Sequence, residues 1–428
     1  MIAMAEVFPM NVLMSEDSQT TLHDHYRLLL GLSAPWEVSQ VDLQLRENKV
    51  EVRVEWPRGK SPECPECGEA CDMHDHAPER RWRHLDTMQF ETVIISRTPR
   101  VHCSRHGVKT ISVPWAEPHS RFTLLFEALV IEALKACRSH KQASDLLGLS
   151  YDQLQRILAR AVERGLARRE QNPIRKIGID EKAFRRGHGY SSLMTDLQQS
   201  RVIEVVENRD SKAANALFES LGDAAHHIDA AAMDMWPAFM KATALNAPQA
   251  RIVHDRFHVS KYLNEAVDKI RRTESKELAD QGKDWLKGTK YLFLRGTQNW
   301  NQDHKEQFDM VKELNLKVAK AWAAKEAFAQ FWEFRCPGEA RAFFNHWRRW
   351  VGRLKLVPLT KVSNMLKKHL KGLLSYALYP VSNAVSEGYN SKIQSLISNA
   401  RGYRNFENFR SAILFHCGKL SMCPLKTQ

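Results

Sequence analysis

Two short pairs of metal-binding side chains, Cys64-Pro-Glu-Cys67 and Cys103-Ser-Arg-His106, constrain this chain more than any other feature. Each pair has the spacing that lets two side chains of one tight turn face the same ion, and two such turns complete a tetrahedron. Closing both on one ion requires the stretch between them to fold back, which a β-hairpin does. Thiolate and imidazole suit zinc. With all four positions filled by protein, none is open for water, so the expected ion is structural. Cys71, His74 and His76 compete for the same positions. The chain has eight cysteines, and in a reducing compartment such a cluster favours metal over disulfides.

The flanking pattern agrees with a small β-rich module. Residues 39–56 alternate apolar and polar, as in a half-exposed hairpin, and 90–102 again read as strand. A zinc-binding β-rich domain is therefore expected over 39–118, with 1–38 unassigned. From Thr123 the periodicity becomes helical. The segment HKQASDLLGLSYDQLQRILARAV carries an apolar and small-residue skeleton at Ala143, Leu146, Leu147, Leu149, Leu154 and Ile157. Gly148 supplies the turn and Ser150 the cap of the next helix. This predicts a helix-turn-helix DNA-binding domain over 119–170. Its second helix would expose Tyr151, Asp152, Gln153, Gln155 and Arg156 where recognition helices meet base edges, with Gln153 and Arg156 as candidate DNA contacts.

Lys and Arg outnumber Asp and Glu by 63 to 50, a net charge of +13. That surplus suits a polyanionic partner without choosing among DNA, RNA and an acidic membrane. No apolar run reaches the roughly 18 residues of a membrane span, and the N-terminus lacks the basic start and cleavage site of a signal peptide. The expectation is a cytoplasmic protein.

At 428 residues the chain is too long for one ordinary core. After Asn172-Pro173 come three strand-like segments, then helix, strand, helix, strand, which is mixed α/β. Arg186-Gly187-His188-Gly189 reads as a turn. Residues 257–375 are mostly helical, and 382–416 form a helical tail broken at Gly402-Tyr403. Asp180 ends one apolar strand and Asp234 another; Glu387 lies early in a helix that Ser382 or Asn383 could cap. In a five-stranded sheet of the ribonuclease H type the first and fourth strands are neighbours, which would set Asp180 beside Asp234. Converging carboxylates repel unless cations join them, and hard oxygen ligands suit Mg²⁺ or Mn²⁺. Two such ions would clamp the attacking and leaving oxygens of an in-line phosphoryl transfer. From the residues alone Glu181, Asp196, Asp229 and Asp255 remain competitors, since the chain has 50 acidic residues.

The segments IGIDEKAFRRGHGY, MDMWPAFMKA, IVHDRFHVSKYLNEAVDKIRR, LKGTKYLFLR, SNAVSEGYNSKIQSLISNARGYRNFENF and the CPECG start of the first knuckle occur in one order from about residue 60 to 416. In them the chain resembles the ISL-three family of bacterial insertion-sequence transposases, which are DDE enzymes. The resemblance implies Asp180, Asp234 and Glu387 as metal ligands, a ribonuclease H-like catalytic core over 171–256 and 381–416, and a helical insertion over 257–380. A tail, 417–428, follows. It also implies binding of element ends, metal-dependent DNA strand cleavage and joining, and a homodimer or higher oligomer on DNA. Asp255-Arg-Phe-His258 matches a further motif of such enzymes. His258 would touch phosphate or orient a carboxylate, unless Asp255 and His258 only brace a helix start. A zinc-hydrolase reading of His254 and His258 lacks the glutamate of HExxH.

Asn390, Lys392, Arg401 and Arg404 are candidate phosphate contacts in the tail, although Gln394 and Ser398 stand where the resemblance implies basic residues. Trp285, Trp300, Trp322, Trp332, Trp347 and Trp350 lie among Lys287, Lys290, Arg295, Arg348 and Arg349. Most are expected in the core, with one or two on DNA. Two rival functions stand beside transposition: a catalytically inactive transposase-derived DNA-binding regulator, and a metal-dependent nuclease that cuts without joining.

Overall fold

The structure, a computed structural model, describes residues 16–170, 172–185, 189–294, 300–381 and 384–425. The N-terminal start, the turn at 186–188, Arg295 and the cap candidates Ser382 and Asn383 lie outside the described residues. The chain divides into two compact units, Met1–Ala167 with Ser421–Gln428, and Arg168–Leu420.

The first unit opens with helix α1 (Glu16–Leu29), followed by β1 (Glu37–Gln44), β2 (Lys49–Glu55), β3 (Asp72–His76), β4 (Arg80–Arg83), β5 (Glu91–Ser96), β6 (Pro99–Cys103) and β7 (Gly107–Thr110). The alternating segment forms the expected hairpin, β1 antiparallel to β2 from Glu37↔Glu55 to Gln44↔Lys49. Its period of two buries Val50, Val52 and Val54 on one face. The strands form two sheets, β1-β2-β5-β4 and β3-β6-β7. Trp36, Trp82 and Trp115 meet edge to face at 4.8 and 5.6 Å in the core. Tyr26 and Leu30, in a stretch the sequence left unassigned, join that core.

Three helices complete this unit: α2 (Leu124–Ala136), α3 (His140–Leu146) and α4 (Tyr151–Ala167). Gly148 turns the chain at φ 64°, a conformation glycine adopts without Cβ strain. Ser150 and Gln153 cap α4 reciprocally: the Gln153 N–H donates to the Ser150 hydroxyl at 3.2 Å, and the Ser150 N–H to Gln153 Oε1 at 2.8 Å. Two expectations are corrected. Leu146 is 69% exposed, because the buried stripe of α3 is His140, Ala143 and Ser144 and Leu146 falls beside it. Gln155 is buried rather than presented outward; its side chain hydrogen-bonds the His140 ring at 2.9 Å.

The second unit is built on β8 (Lys176–Ala183), β9 (Tyr190–Asp196), β10 (Arg201–Glu207), α5 (Ser211–Glu219), β11 (Ala230–Met233), α6 (Pro237–Asn246) and β12 (Arg251–His254). Strand order is β10-β9-β8-β11-β12, so the first and fourth strands of the sheet are neighbours, the ribonuclease H arrangement. β8, β9 and β10 run antiparallel, while β11 pairs in parallel with β8 and β12. β11 is only Ala-Ala-Ala-Met, and all four are buried. Ala231 and Met233 meet the cluster containing Leu217, Phe218 and Phe239; Ala230 and Ala232 meet Val253 and Val381. A strand covered on both faces has no room for polar alternation.

Helices α7 (Arg256–Ala279), α8 (Lys290–Leu294), α9 (Gln302–Glu313), α10 (Lys317–Phe328), α11 (Pro337–Leu354), α12 (Val357–Lys368) and α13 (Leu370–Leu378) follow, then α14 (Ala384–Asn399) and α15 (Phe406–Cys417). Trp322, Trp332 and Trp347 are buried in one helical cluster, with Trp300 and Trp350 partly buried against it. Trp347 Nε1 donates to the Ala324 carbonyl at 2.8 Å, the partner a buried indole needs. Trp285 is exposed. Among the described residues, no helix is long and apolar enough to cross a membrane.

Candidate active site and metal centre

Strand register assembles the first site. Met233 pairs in parallel with Ile179 on one side and His254 on the other. The next residues of β8, β11 and β12 are therefore Asp180, Asp234 and Asp255, abreast where β11 and β12 end; β8 itself runs on to Ala183, still paired with β9, so Asp180 does not end its strand as expected. The C-terminal ends of strands are where α/β sheets bind ligands. Asp180 Oδ1 accepts from the Glu181 N–H at 2.8 Å, and Oδ2 from the Asn390 amide of α14 at 2.6 Å. Asp234 Oδ1 accepts from the Met235 N–H at 2.6 Å, and Oδ2 from the Tyr262 hydroxyl at 3.3 Å. His258, in the first turn of α7, stands between the two: Nε2 is 3.9 Å from Asp180 and Nδ1 is 3.4 Å from Asp234.

The electrostatics are unfavourable to a bare carboxylate cluster. Burial pushes the Asp180 carboxyl above its usual range and Asp255 adds to this; the Glu181 N–H, His258 and Asn390 oppose it. Burial, then the charge of Asp234, raises the Tyr262 hydroxyl to about 12, so it remains a donor. Hard oxygens set side by side, with His258 the basic side chain that approaches both carboxylates, fit divalent cations.

Asp255 caps α7, its side chain accepting from the Phe257 N–H at 3.1 Å. Glu387 belongs to α14, three residues before Asn390; its side chain lies outside the described residues. Glu181 pairs with Arg209 at 3.0 Å, Asp196 with Arg201 at 3.3 Å, and Asp229 with Arg175 at 3.3 Å, so these competitors are committed to ion pairs. The histidine pair of the hydrolase alternative does not share a helix: His254 ends β12, buried edge to face against His369 at 5.3 Å. Gln153 and Arg156 are exposed on α4. Asn390 is on Asp180, Lys392 donates to the His416 carbonyl at 2.6 Å, and Arg401 and Arg404 are exposed beyond α14. Tyr262 was missed, although its place four residues after His258 on one helix face was readable. Arg209 and Trp236 left no such signal.

The second site is in the first unit. The ligand atoms of Cys64, Cys67, Cys103 and His106 all lie within 4.8 Å of one another. Cys67 and Cys103 sulfurs are 3.8 Å apart, and His106 Nδ1 is 3.6 Å from Cys64 and 3.5 Å from Cys103. A tetrahedral ion with bonds of about 2.3 Å to sulfur and about 2.0 Å to nitrogen has edges of about 3.8 Å between sulfurs and about 3.5 Å between sulfur and nitrogen. Backbone N–H groups of Arg105 and His106 draw the Cys103 thiol down to about 6, supplying thiolate at neutral pH. The other ring nitrogen of His106 faces Glu66 at 3.6 Å, a carboxylate that orients a metal-binding imidazole. Cys71 instead donates to the Glu69 carbonyl at 3.3 Å, and His74 and His76 are exposed.

Family models match three stretches of the chain. Residues 177–413 match a family model described as a transposase of the ISL3 type, 111–162 one described as the helix-turn-helix domain of transposase family ISL3, and 60–106 the zinc-finger of transposase IS204/IS1001/IS1096/IS1165. The transposase for insertion sequence element IS1001 of Bordetella parapertussis is 25% identical over 376 residues, 83% of this chain and 92% of that one. The transposase for insertion sequence element IS1557 of Mycobacterium tuberculosis is 24% identical over 415 residues, 89% of this chain and 92% of that one. The Drosophila P element transposase in a strand transfer complex aligns with TM-score 0.39 at 10% identity, over 72% of this chain and 94% of that one.

Proposed function

We propose, for a chain that belongs to the transposase family ISL3, that the C-terminal edge of β8, β11 and β12 is where DNA strands are cut and joined. Asp180, Asp234 and Glu387 are the metal-binding carboxylates of this reading. The observation that carries it is the position of Asp180 beside Asp234, with α14 reaching Asp180 through Asn390 at 2.6 Å. Residues three apart share a helix face, so the contact made by Asn390 brings the Glu387 turn of α14 to the same edge. Two Mg²⁺ or Mn²⁺ ions bound there would supply Lewis acidity at the phosphodiester and would make a water, or a DNA 3′-hydroxyl, acidic enough to give up its proton to solvent and attack as the oxyanion. The chain's own part is to position the carboxylates side by side. His258 bridges Asp180 and Asp234, and the protonated Tyr262 hydroxyl fixes one Asp234 oxygen, leaving the other lone pairs for metal. Asp255 sets the start of α7 and thereby His258.

One Zn²⁺ held by Cys64, Cys67, Cys103 and His106 is the structural ion. Gln153 and Arg156 on α4 face the ends of the insertion sequence, and Lys392, Arg401 and Arg404 its phosphates. Asn390 is reassigned from phosphate to Asp180. The domain divisions of this reading are those expected from the sequence: zinc module 39–118, helix-turn-helix 119–170, catalytic core 171–256 and 381–416, insertion 257–380, with Tyr26 and Leu30 of the preceding segment packed into the core of the zinc module. Two ends must be handled together, so the working form is a homodimer or larger on DNA, in the bacterial cytoplasm.

A joining assay tests the reading. Cells receive a plasmid bearing the DNA that flanks this gene, with wild-type protein or Glu387→Gln, and junctions are sequenced. Junctions from wild type alone are expected. Cut ends without junctions would convert the protein to a nuclease, and end binding without either to a regulator.

A further inference from the structure

Beside the carboxylates stands a cluster that metal binding does not use. Trp236 lies two residues past Asp234, at the N-cap position of α6 with Pro237 next. Its side chain is 37% exposed, unlike the tryptophans packed in the helical cluster. It is nevertheless held in place. Its Nε1 donates to the Arg209 carbonyl at 2.9 Å, and the Arg209 guanidinium lies 4.9 Å from its ring centroid. The same guanidinium is 4.0 Å from the Tyr190 ring and bonds both Glu181 oxygens at 3.0 and 3.1 Å. Topology brings the four together. Glu181 follows Asp180 in β8, Tyr190 opens β9 opposite Ala183, and Arg209 lies just past β10, whose Glu207 pairs with Ser191. All are at the edge that carries Asp180 and Asp234.

The chemistry of the cluster decides what it can take. Arg209 is neutralised by Glu181, so the group has little pull on a phosphate. What it offers is an indole whose polar atom is already satisfied and whose motion is already restrained, so little ordering cost remains on binding. A brace for the sheet edge would need only the Glu181–Arg209 pair. A partly exposed, immobilised aromatic ring beside a phosphoryl-transfer site suits the π-face of a base taken out of the duplex stack, which binds aromatic side chains with little sequence preference.

We propose that Trp236 is a stacking platform for one unpaired nucleobase next to the scissile phosphate, with Arg209 and Tyr190 as positioning residues for the indole. The proposal rests on the reading of Asp180 and Asp234 as the reaction centre. The test uses full-length protein and duplexes of the DNA flanking this gene. An abasic nucleotide is placed at each position around the cut in turn, and single-turnover cleavage and end binding are measured. Trp236→Ala is expected to cut intact DNA about tenfold more slowly, the scale of one lost base–aromatic stack, while Trp236→Phe keeps most of the rate. At one position the abasic lesion slows wild type by a similar factor and does not slow Trp236→Ala further. Arg209→Gln should show the same loss of sensitivity to that lesion, and Arg209→Lys should restore it in part. If Trp236→Ala does not fold, Trp236→Leu replaces it. Independent, multiplying losses at every position, or wild-type cleavage by Trp236→Ala, would overturn the platform. Asp180→Asn run alongside separates the two readings: if it still cuts, the reaction centre is wrong, and if it is inert while Trp236→Ala cuts normally, only the platform falls.

Discussion

Glu127, in the helices of the N-terminal unit, and Asp180, in the sheet of the C-terminal unit, are both buried carboxylates, and their surroundings differ in kind. Glu127 accepts from the Ser120 hydroxyl at 2.9 Å and from two guanidinium groups, Arg160 and Arg164. Arg164 is itself held by Glu117 and the Met422 carbonyl. Asp180 has Asp234 and Asp255 beside it, and His258 and an amide for relief. The same contrast separates the two metal sites, a closed tetrahedron of thiolates and imidazole and an open edge of carboxylates. Where charge and coordination are complete, the arrangement stabilises the fold. Where a buried charge lacks a counterion, the missing partner comes from outside, and perturbed acids of that kind cluster at functional sites.

The largest expected effect tests the closed side. Cys64→Ser should release the ion and unfold the surrounding strands, since structural zinc contributes on the order of 10 kcal/mol to small modules. Metal analysis with near-UV circular dichroism reads this, and equal metal in the variant would remove the knuckles from the argument. Next is the open side. Asp180→Asn and Asp234→Asn should each cut DNA on the order of 1,000-fold more slowly, about 4 kcal/mol, with end binding retained and the melting temperature unchanged or raised, because one repelling charge is gone. A clear fall in melting temperature would mean Asp180 is braced as Glu127 is, and the contrast would fail.

Glu127→Ala should do the reverse, costing about 3 kcal/mol of stability by removing the buried acceptor that Arg160 and Arg164 share, measured by urea unfolding. The molecules still folded should cut DNA normally. Acid provides a finer test of the same unit. Burial holds His140 at about 4, below its ordinary 6.5, so the unfolded chain takes up the proton first. Stability is complete above pH 6.5 and falls as the pH drops toward 4, by on the order of 3 kcal/mol. His84, also held at about 4, acts with the same sign. His140→Gln should flatten part of this slope, and an unchanged slope would place the sensitivity elsewhere. The smallest effect is expected from Arg156→Ala, about 1 kcal/mol of end binding with no change in folding, read by titration at fixed salt. No loss would move the recognition surface off this part of α4.

Local chemistry determined much of this protein in advance. The two knuckles, the Gly148 turn with its Ser150 cap, the apolar strands ending near Asp180 and Asp234, and the burial of most insertion tryptophans all follow from spacing and periodicity, which are written in neighbouring residues. The order of strand-like and helical segments already implied the mixed sheet, and the family motifs added its transposase activity. Register and distant packing were decided only by the tertiary structure. Asp255 reads as one acid among many until Met233 is paired with His254, and then it stands in line with the other two and caps α7. Gln155 looks like a surface residue until His140 packs over it, and Leu146 looks buried until α3 turns its stripe toward α4. Asn390 meets Asp180 across 210 residues, and Arg209 finds Tyr190, Trp236 and Glu181 only because three strands end at one edge. Such contacts join side chains far apart in the chain, so no local period encodes them; they exist once the sheet order is set and its edges are brought level.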